Sequence, residues 1–459
     1  MLYSLVRAVA GVALRWYYRD VQIEGLERIP RDGPLLIVVN HPNALVDALL
    51  VIRHVPRWVL LTAKATLFAN PVVRVLLGWL GVVPLHRASD AERAGTRADP
   101  ARNRGAFRAV VSALRRGDAV MIFPEGKSHD EPSLAPLKSG AARMALEATT
   151  NSGAPHLMIL PIGLSFERKD EPRTRVLVRV GAPLEMARWT RPERGAADAL
   201  TSEIDARLRA VTLNYETTDD AARVLRVASL LAALFGDVPH IGRVDRSFGL
   251  DATIARRLDE ITRHLANASP DVRAHADALL DRMDAVEQLA KTHRVLLEDV
   301  FIPLGVSSGA WFVVREAWWL LVAGPLAIWG RVNHWLPFRA ARLVALRSVD
   351  TAADPAMRTV LAGASFLVIT YLVQTSLVAA FWGGALALAY LVSLPLTADV
   401  NFYLSDRLQR AMRRAHAYLL FRGDPALRHR LYDSLSTLRA DVAAFDQSIG
   451  SQRLPASRA

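Results

Sequence analysis

The chain reads as an α/β domain followed by a helical region and a C-terminal membrane hairpin, and three observations carry that reading. From Val21 to Thr212 short β-type runs alternate with helical stretches, the pattern of an α/β domain of about two hundred residues. From Thr217 to Asp299 the chain turns helical and charged. From Thr359 to Ala398 no position carries Asp, Glu, Lys, Arg or His, a run of about 60 Å as helix and enough for two bilayer crossings.

The elements follow in order. Met1 to Tyr18 is apolar, interrupted by Arg7 and Arg15, without a small-residue cleavage pattern, and ends in Trp16, Tyr17 and Tyr18. We expect residues 1–20 to form an interfacial helix whose aromatic end sits at headgroup level, with an amphipathic helix packed on the domain as the even alternative. Within residues 21–212 the strands are expected at Leu35–Val39, Trp58–Thr62, Gly81–Leu85, Ala119–Phe123, Leu157–Phe166 and Arg175–Val180. Helices are expected at Ala44–His54, near Pro71–Leu80, at Arg102–Arg116 and at Ser139–Thr150. Residues 213–310 form a helical region, with Pro270 suited to a first helical turn. Residues 311–400 are membrane-associated. The apolar run Ala317–Gly330 is too short for a full span and favours a re-entrant or interfacial helix, whereas Thr359–Ala398 forms a hairpin bent at Gly383-Gly384. The arginines between Arg331 and Arg358, and those of a helical tail at residues 401–459 that includes Arg413 and Arg414, place both flanks of the hairpin on the cytoplasmic face.

Composition narrows the chemistry. There is no cysteine, which excludes disulfides, thiolate nucleophiles and zinc–thiolate sites. The net charge of +12 suits an anionic partner, but it comes almost wholly from arginine and no nucleic-acid-binding module accompanies it. Hydrophobic residues make up 51% of the chain, and with the uncharged hairpin they point to lipid instead. Lysines are rare, which makes Lys127 and Lys138 informative.

Four blocks in the α/β domain carry candidate chemistry. In the first, Asn40-His41-Pro42-Asn43 separates an apolar strand from an apolar helix. His41 can take a proton near neutral pH, and Asp47 can fold back to fix its tautomer. Six helical residues would turn the two side chains to different faces, so His41 must precede the helix. The second block ends a strand in His86-Arg87, and an arginine there can grip a phosphate through two hydrogen bonds. The third is Phe123-Pro124-Glu125-Gly126-Lys127-Ser128-His129. Here glycine allows close backbone approach, Glu125 can accept from a substrate hydroxyl, and Lys127 can meet an anion. Lys138 opens the following helix, a further anion contact. The fourth is the apolar strand from Leu157 to Ile162 with Pro161 inside it, a wall more than a reagent. A second histidine–acid pair, His129 and Asp130, is adjacent in sequence, so its side chains diverge.

In order and spacing these blocks resemble the glycerolipid acyltransferase family. Its motifs are His-x4-Asp, a strand running into an arginine, Phe-Pro-Glu-Gly, and an aliphatic strand carrying a proline. The chain departs from that pattern in having five residues between His41 and Asp47. That longer spacing, the Phe-Pro-Glu-Gly-x-Ser-His block and the later membrane segments are similar to fungal-type glycerol-3-phosphate acyltransferases. The resemblance implies a mixed sheet flanked by helices, with His41 as base and Asp47 as its partner. Arg87 would bind the acceptor phosphate, Glu125 and Gly126 would line the acceptor site, and Pro161 would help form the acyl pocket. The expected reaction is direct acyl transfer from acyl-CoA or acyl-carrier protein, both substrates, with no cofactor and no metal. The partners expected are the thioester donor, a glycerol phosphate or lysophospholipid acceptor and membrane lipid, and not nucleic acid. Two alternatives stand beside acylation of glycerol 3-phosphate: acylation of its 1-acyl derivative, and a non-catalytic membrane lipid-binding protein on the same fold.

Overall fold

Leu35–Val39 is wholly buried, and its residues alternate between the two faces of a sheet: Leu36 and Val38 enter one core, Leu35, Ile37 and Val39 the other. In the computed structural model the described residues are 2–69, 74–75, 77–78, 81–85, 104–150, 153–154, 156–169, 171–189, 195–235, 248–265, 269–347 and 355–452. The chain divides into two units, Met1–Thr218 with Ala341–Ala364, and Asp219–Ala340 with Ser365–Ala459.

The first unit runs α1 (Leu2–Tyr17), β1 (Asp20–Glu24), β2 (Leu35–Val39), α2 (Ala44–His54), β3 (Val59–Lys64), β4 (Val83–Leu85) and α3 (Arg104–Arg115). It continues with β5 (Ala119–Ile122), α4 (Gly140–Thr149), β6 (Met158–Phe166), β7 (Arg175–Val180), β8 (Leu184–Glu185) and α5 (Ala196–Arg209). The strands form one sheet in the order β1-β7-β6-β2-β5-β3-β4, with β8 also paired to β6. Pairs around β2, β3 and β5 are parallel, as is β1 with β7, while β6 is antiparallel to β7 and β8, so the sheet is mixed as expected. One face is covered by α3, α4 and α5 through Val110, Leu114, Ala145, Leu200 and Ile204, the other by α2 and the end of α1 through Val46, Leu50, Leu14 and Tyr18. Burial on both faces explains why the central strands read as unbroken apolar runs.

Pro161 lies inside β6 at a point where its missing N–H is not needed. β8 pairs with Met158 and Ile159, β7 pairs from Ile162 onward, and between them the Pro161 carbonyl accepts from Gly181 N–H at 2.8 Å. The aromatic end of α1 is corrected: Trp16, Tyr17 and Tyr18 are buried in the domain, and the apolar residues that α1 exposes are Leu5 and Val9. The helix expected near Pro71–Leu80 lies largely outside the described residues.

After α5 the chain is helical: α6 (Thr218–Phe235), α7 (Phe248–Leu265), α8 (Pro270–Thr292), α9 (Val306–Arg347), α10 (Pro355–Trp382), α11 (Gly384–Gly423) and α12 (Pro425–Gln452), with the end of α9 and the start of α10 counted in the first unit and nearly all the rest in the second. Pro270 opens α8, and Leu279, Met283, Ala417, Phe421, Leu431 and Leu435 share a core. Among the described residues three stretches are long and apolar enough to cross a membrane, Val306–Val344, Met357–Trp382 and Gly384–Gly423. Gly383 breaks α10 from α11 with a left-handed φ of 88°, at the expected bend. The expectation of a short apolar piece at Ala317–Gly330 is corrected, because that run sits inside the continuous helix α9. Glu316, the residue before that run, is paired with Arg407 of α11 through two hydrogen bonds of 2.7 and 2.9 Å.

Candidate active site

The turn of residues 40–43 carries the chain from the carboxyl end of β2 into α2, at the edge of a parallel stretch of sheet where open α/β folds place their sites. Every residue of the turn is tied down. Asn40 makes a two-way amide pair with Leu164 of β6, accepting from its N–H at 2.7 Å and donating to its carbonyl at 3.0 Å. The His41 N–H donates to Glu125 Oε1 at 2.7 Å, and Lys169 Nζ donates to the Pro42 carbonyl at 3.1 Å. Asn43 Nδ2 donates to the Tyr18 hydroxyl and to the Lys169 carbonyl, each at 3.2 Å. The Ala44 N–H donates to Ser128 Oγ at 3.2 Å.

His41 and Asp47 are brought together as expected. Asp47 stands in the first turn of α2, fully buried, and its Oδ2 lies 3.0 Å from His41 Nδ1 and accepts the Asn43 N–H at 2.8 Å. A carboxylate can only accept, so the ring proton sits on Nδ1 and the lone pair is left on Nε2, where a base needs it. The imidazole also lies flat on Phe123, ring centroids 3.7 Å apart and 12° from parallel. With one nitrogen fixed and one face covered, the ring has a single orientation.

Glu125 is corrected. Its side chain is fully buried, and Oε1 takes the His41 N–H while Oε2 takes the Ala135 N–H at 2.8 Å and the His129 Nε2–H. Both oxygens meet protein donors and the side chain has no exposed surface, so in this structure the carboxylate braces the turn from within the protein. His129 pairs with Glu125 and not with Asp130, which meets Lys169. Gly126 takes a left-handed φ of 74°, and a Cβ there would stand 2.9 Å from Lys138 Nζ. The bare glycine thus lets an exposed cation lie over the loop. Lys127 is exposed beside it. Pro161 is buried in the sheet beside Val38 of β2. Arg87 lies outside the described residues. Among the described residues no three His, Asp or Glu side chains converge as metal ligands.

Sequence reasoning missed Asn40, Phe123 and Ser128 as supports of the turn, and also Lys169. Lys169 was the one with a signal, since lysine is rare in this chain.

Residues 20–165, which hold the turn and its braces other than Tyr18 and Lys169, match the Acyltransferase family model. An uncharacterized acyltransferase of Schizosaccharomyces pombe is 22% identical over 40% of this chain and 39% of its own length. Glycerol-3-phosphate O-acyltransferase 1 of Saccharomyces cerevisiae is 34% identical over 24% of this chain and 16% of its own. The 1-acyl-sn-glycerol-3-phosphate acyltransferase of Borreliella burgdorferi is 25% identical over 35% and 58%. The chain thus matches less than two thirds of the length of each. Residues 20–165 form an acyltransferase domain, similar in sequence to those of glycerolipid acyltransferases.

Proposed function

We propose that the chain is a membrane-associated O-acyltransferase that moves a fatty acyl group from an acyl thioester to a hydroxyl of glycerol 3-phosphate, as a step in phospholipid synthesis. The observation that carries the reading is the His41–Asp47 pair, with the lone pair of Nε2 left available. His41 Nε2 takes the proton of the acceptor hydroxyl as that oxygen attacks the thioester carbonyl. Asp47 steadies the imidazolium that forms, and the proton is returned to the departing thiolate, so no acyl-enzyme is needed. Lys127 and Lys138, exposed around Gly126, and Arg87 supply cations for the acceptor phosphate. Pro161 lies along the wall of the acyl pocket. The donor is acyl-CoA or acyl-carrier protein, the enzyme needs no further cofactor, and the reaction takes place at the cytoplasmic face of the membrane.

Acylation of 1-acylglycerol 3-phosphate is the second reading, favoured by the similarity to the Borreliella burgdorferi enzyme. Purified protein in detergent, given a labelled acyl thioester with each acceptor in parallel, separates the two. Product with glycerol 3-phosphate is expected, and His41→Ala should lose about 10²- to 10⁴-fold in turnover while staying folded. Product with the 1-acyl derivative alone would install the second reading. Full turnover by His41→Ala would remove His41 from the base role.

A further inference from the structure

We propose that His129 is a positioning residue for this transfer: it holds the buried Glu125 carboxylate against the His41 main chain, and so fixes where the His41 imidazole points. The inference rests on His41 being the base.

Glu125 is a carboxylate with no exposed side-chain surface, which is stable only when donors surround it. It has three: the N–H groups of His41 and Ala135, and the His129 ring. The first two are main-chain groups present whatever the sequence, and His129 is the one side chain among them. Its tautomer is set by the same geometry. Nδ1 accepts the Glu131 N–H at 3.2 Å, so the ring proton sits on Nε2 and is given to Glu125. With both nitrogens committed, His129 has none to offer a substrate and can act only through Glu125. The His129 N–H also reaches the His41 carbonyl at 3.4 Å, so the two histidines are coupled through both main chain and side chain.

Loss of the His129 donor leaves Glu125 Oε2 short of a partner inside the protein. The carboxylate then turns toward water, the His41 N–H loses its acceptor, and the main chain that carries the imidazole is no longer fixed at that point. Asp47 still holds Nδ1, so the base survives as a chemical group while the aim of Nε2 is blurred. A blurred base lowers the rate of the chemical step and leaves substrate affinity alone.

His129→Asn and His129→Gln separate this from general disruption. A glutamine amide reaches the Nε2 position and can still donate to Glu125, whereas an asparagine amide stops near Nδ1. Acyl transfer from acyl-CoA to glycerol 3-phosphate is measured on the full chain in detergent for wild type, His129→Ala, His129→Asn and His129→Gln. The expected result is a fall in kcat of about 10- to 100-fold for Ala and Asn with KM for both substrates within about twofold, and recovery of most of the rate by Gln. A second readout does not depend on turnover. In protein labelled with 15N-histidine, the His41 Nδ1–H proton, assigned by its absence in His41→Ala, should be sharp in wild type and Gln and broadened or lost in Ala and Asn. If Ala fails to fold, the Asn and Gln pair gives the same contrast. Wild-type kcat and an unchanged His41 proton in Asn would overturn the proposal, and so would equal losses in Asn and Gln. A wild-type protein that transfers acyl to neither acceptor would end the glycerol 3-phosphate reading, while the proton signal would still decide the brace.

Discussion

Ala44, the third of the five residues between His41 and Asp47, has a left-handed backbone with φ of 41°. A side chain in that region is strained by its own carbonyl, and such strain persists only where the surroundings impose it. Here they do: Asn43 is tied to Tyr18, Lys169 and Asp47, and the Ala44 N–H to Ser128. The kink absorbs the extra residue of the longer spacing, so that Asp47 still reaches Nδ1 at 3.0 Å. Ala44→Gly should therefore keep activity and gain up to about 1 kcal/mol of stability, whereas Ala44→Val should lose about 1–3 kcal/mol and lower turnover with it. Thermal unfolding and turnover in detergent check both, and a valine variant indistinguishable from wild type would mean the kink is absent in solution. At this scale His41 and Asp47 were legible because spacing alone forbids them a common helix face. Glu125 was misread because a sequence supplies a carboxylate without saying which donors its oxygens meet, and those donors, Ala135 and His129, are set by a loop.

The loop between β6 and β7 shows how elements serve the site. Lys169, which ties down the Pro42 carbonyl, rides on it, and its base is closed by Glu167 and Arg175. Arg175 Nε and Nη2 each meet a different oxygen of Glu167 at 3.0 Å, and the Arg175 N–H adds a third bond of 3.0 Å. Burial alone would raise the Glu167 pKa, but the hydrogen bonds and charge of Arg175 outweigh it, and the group titrates below its ordinary value of 4.5. A carboxylate with a depressed folded pKa adds stability that is fully present above the unfolded pKa and is lost as pH falls through the folded one. Unfolding free energy followed from neutral pH down through 4.5 should converge between wild type and Glu167→Gln. A constant gap across that range would show that the clasp does not depend on the ionised carboxylate. The strands themselves were legible as apolar runs because both sheet faces are covered. Helix α9 was not, since Glu316 interrupts its apolar sequence and the Arg407 that neutralises it lies far along the chain.

At the scale of the whole chain the number of membrane crossings can be argued from two groups that lie side by side. His416 Nε2 is 3.1 Å from the His293 carbonyl, and Leu297 and Val300 share a core with Ala417 and Phe421. Residues near 293 and near 416 are therefore on one side of any bilayer, and the chain between them must cross an even number of times. Among the described residues three stretches qualify by length and composition, so they cannot all be single full crossings. In Met357–Trp382 the apolar window has no residue buried within the protein, so that surface calls for lipid. Met357–Trp382 with the start of α11 is one pair that meets this condition. Arg339 and Arg342, at the end of α9, then lie on the same face as the arginine-bearing tail, the grouping of positive charge that the positive-inside rule describes. The natural absence of cysteine makes this directly measurable, because single cysteines can be introduced without removing any. Arg339→Cys, Gly384→Cys and Ser436→Cys, treated with a membrane-impermeant maleimide on sealed vesicles of each orientation, report which face each position occupies. Arg339→Cys and Ser436→Cys should label from the same face and Gly384→Cys from the other. If instead Arg339→Cys stands alone on the opposite face, α9 and α10 are the two crossings and α11 begins on the side where the tail ends. Either outcome keeps the count even, and only labelling that separates residues near 293 from those near 416 would break the argument.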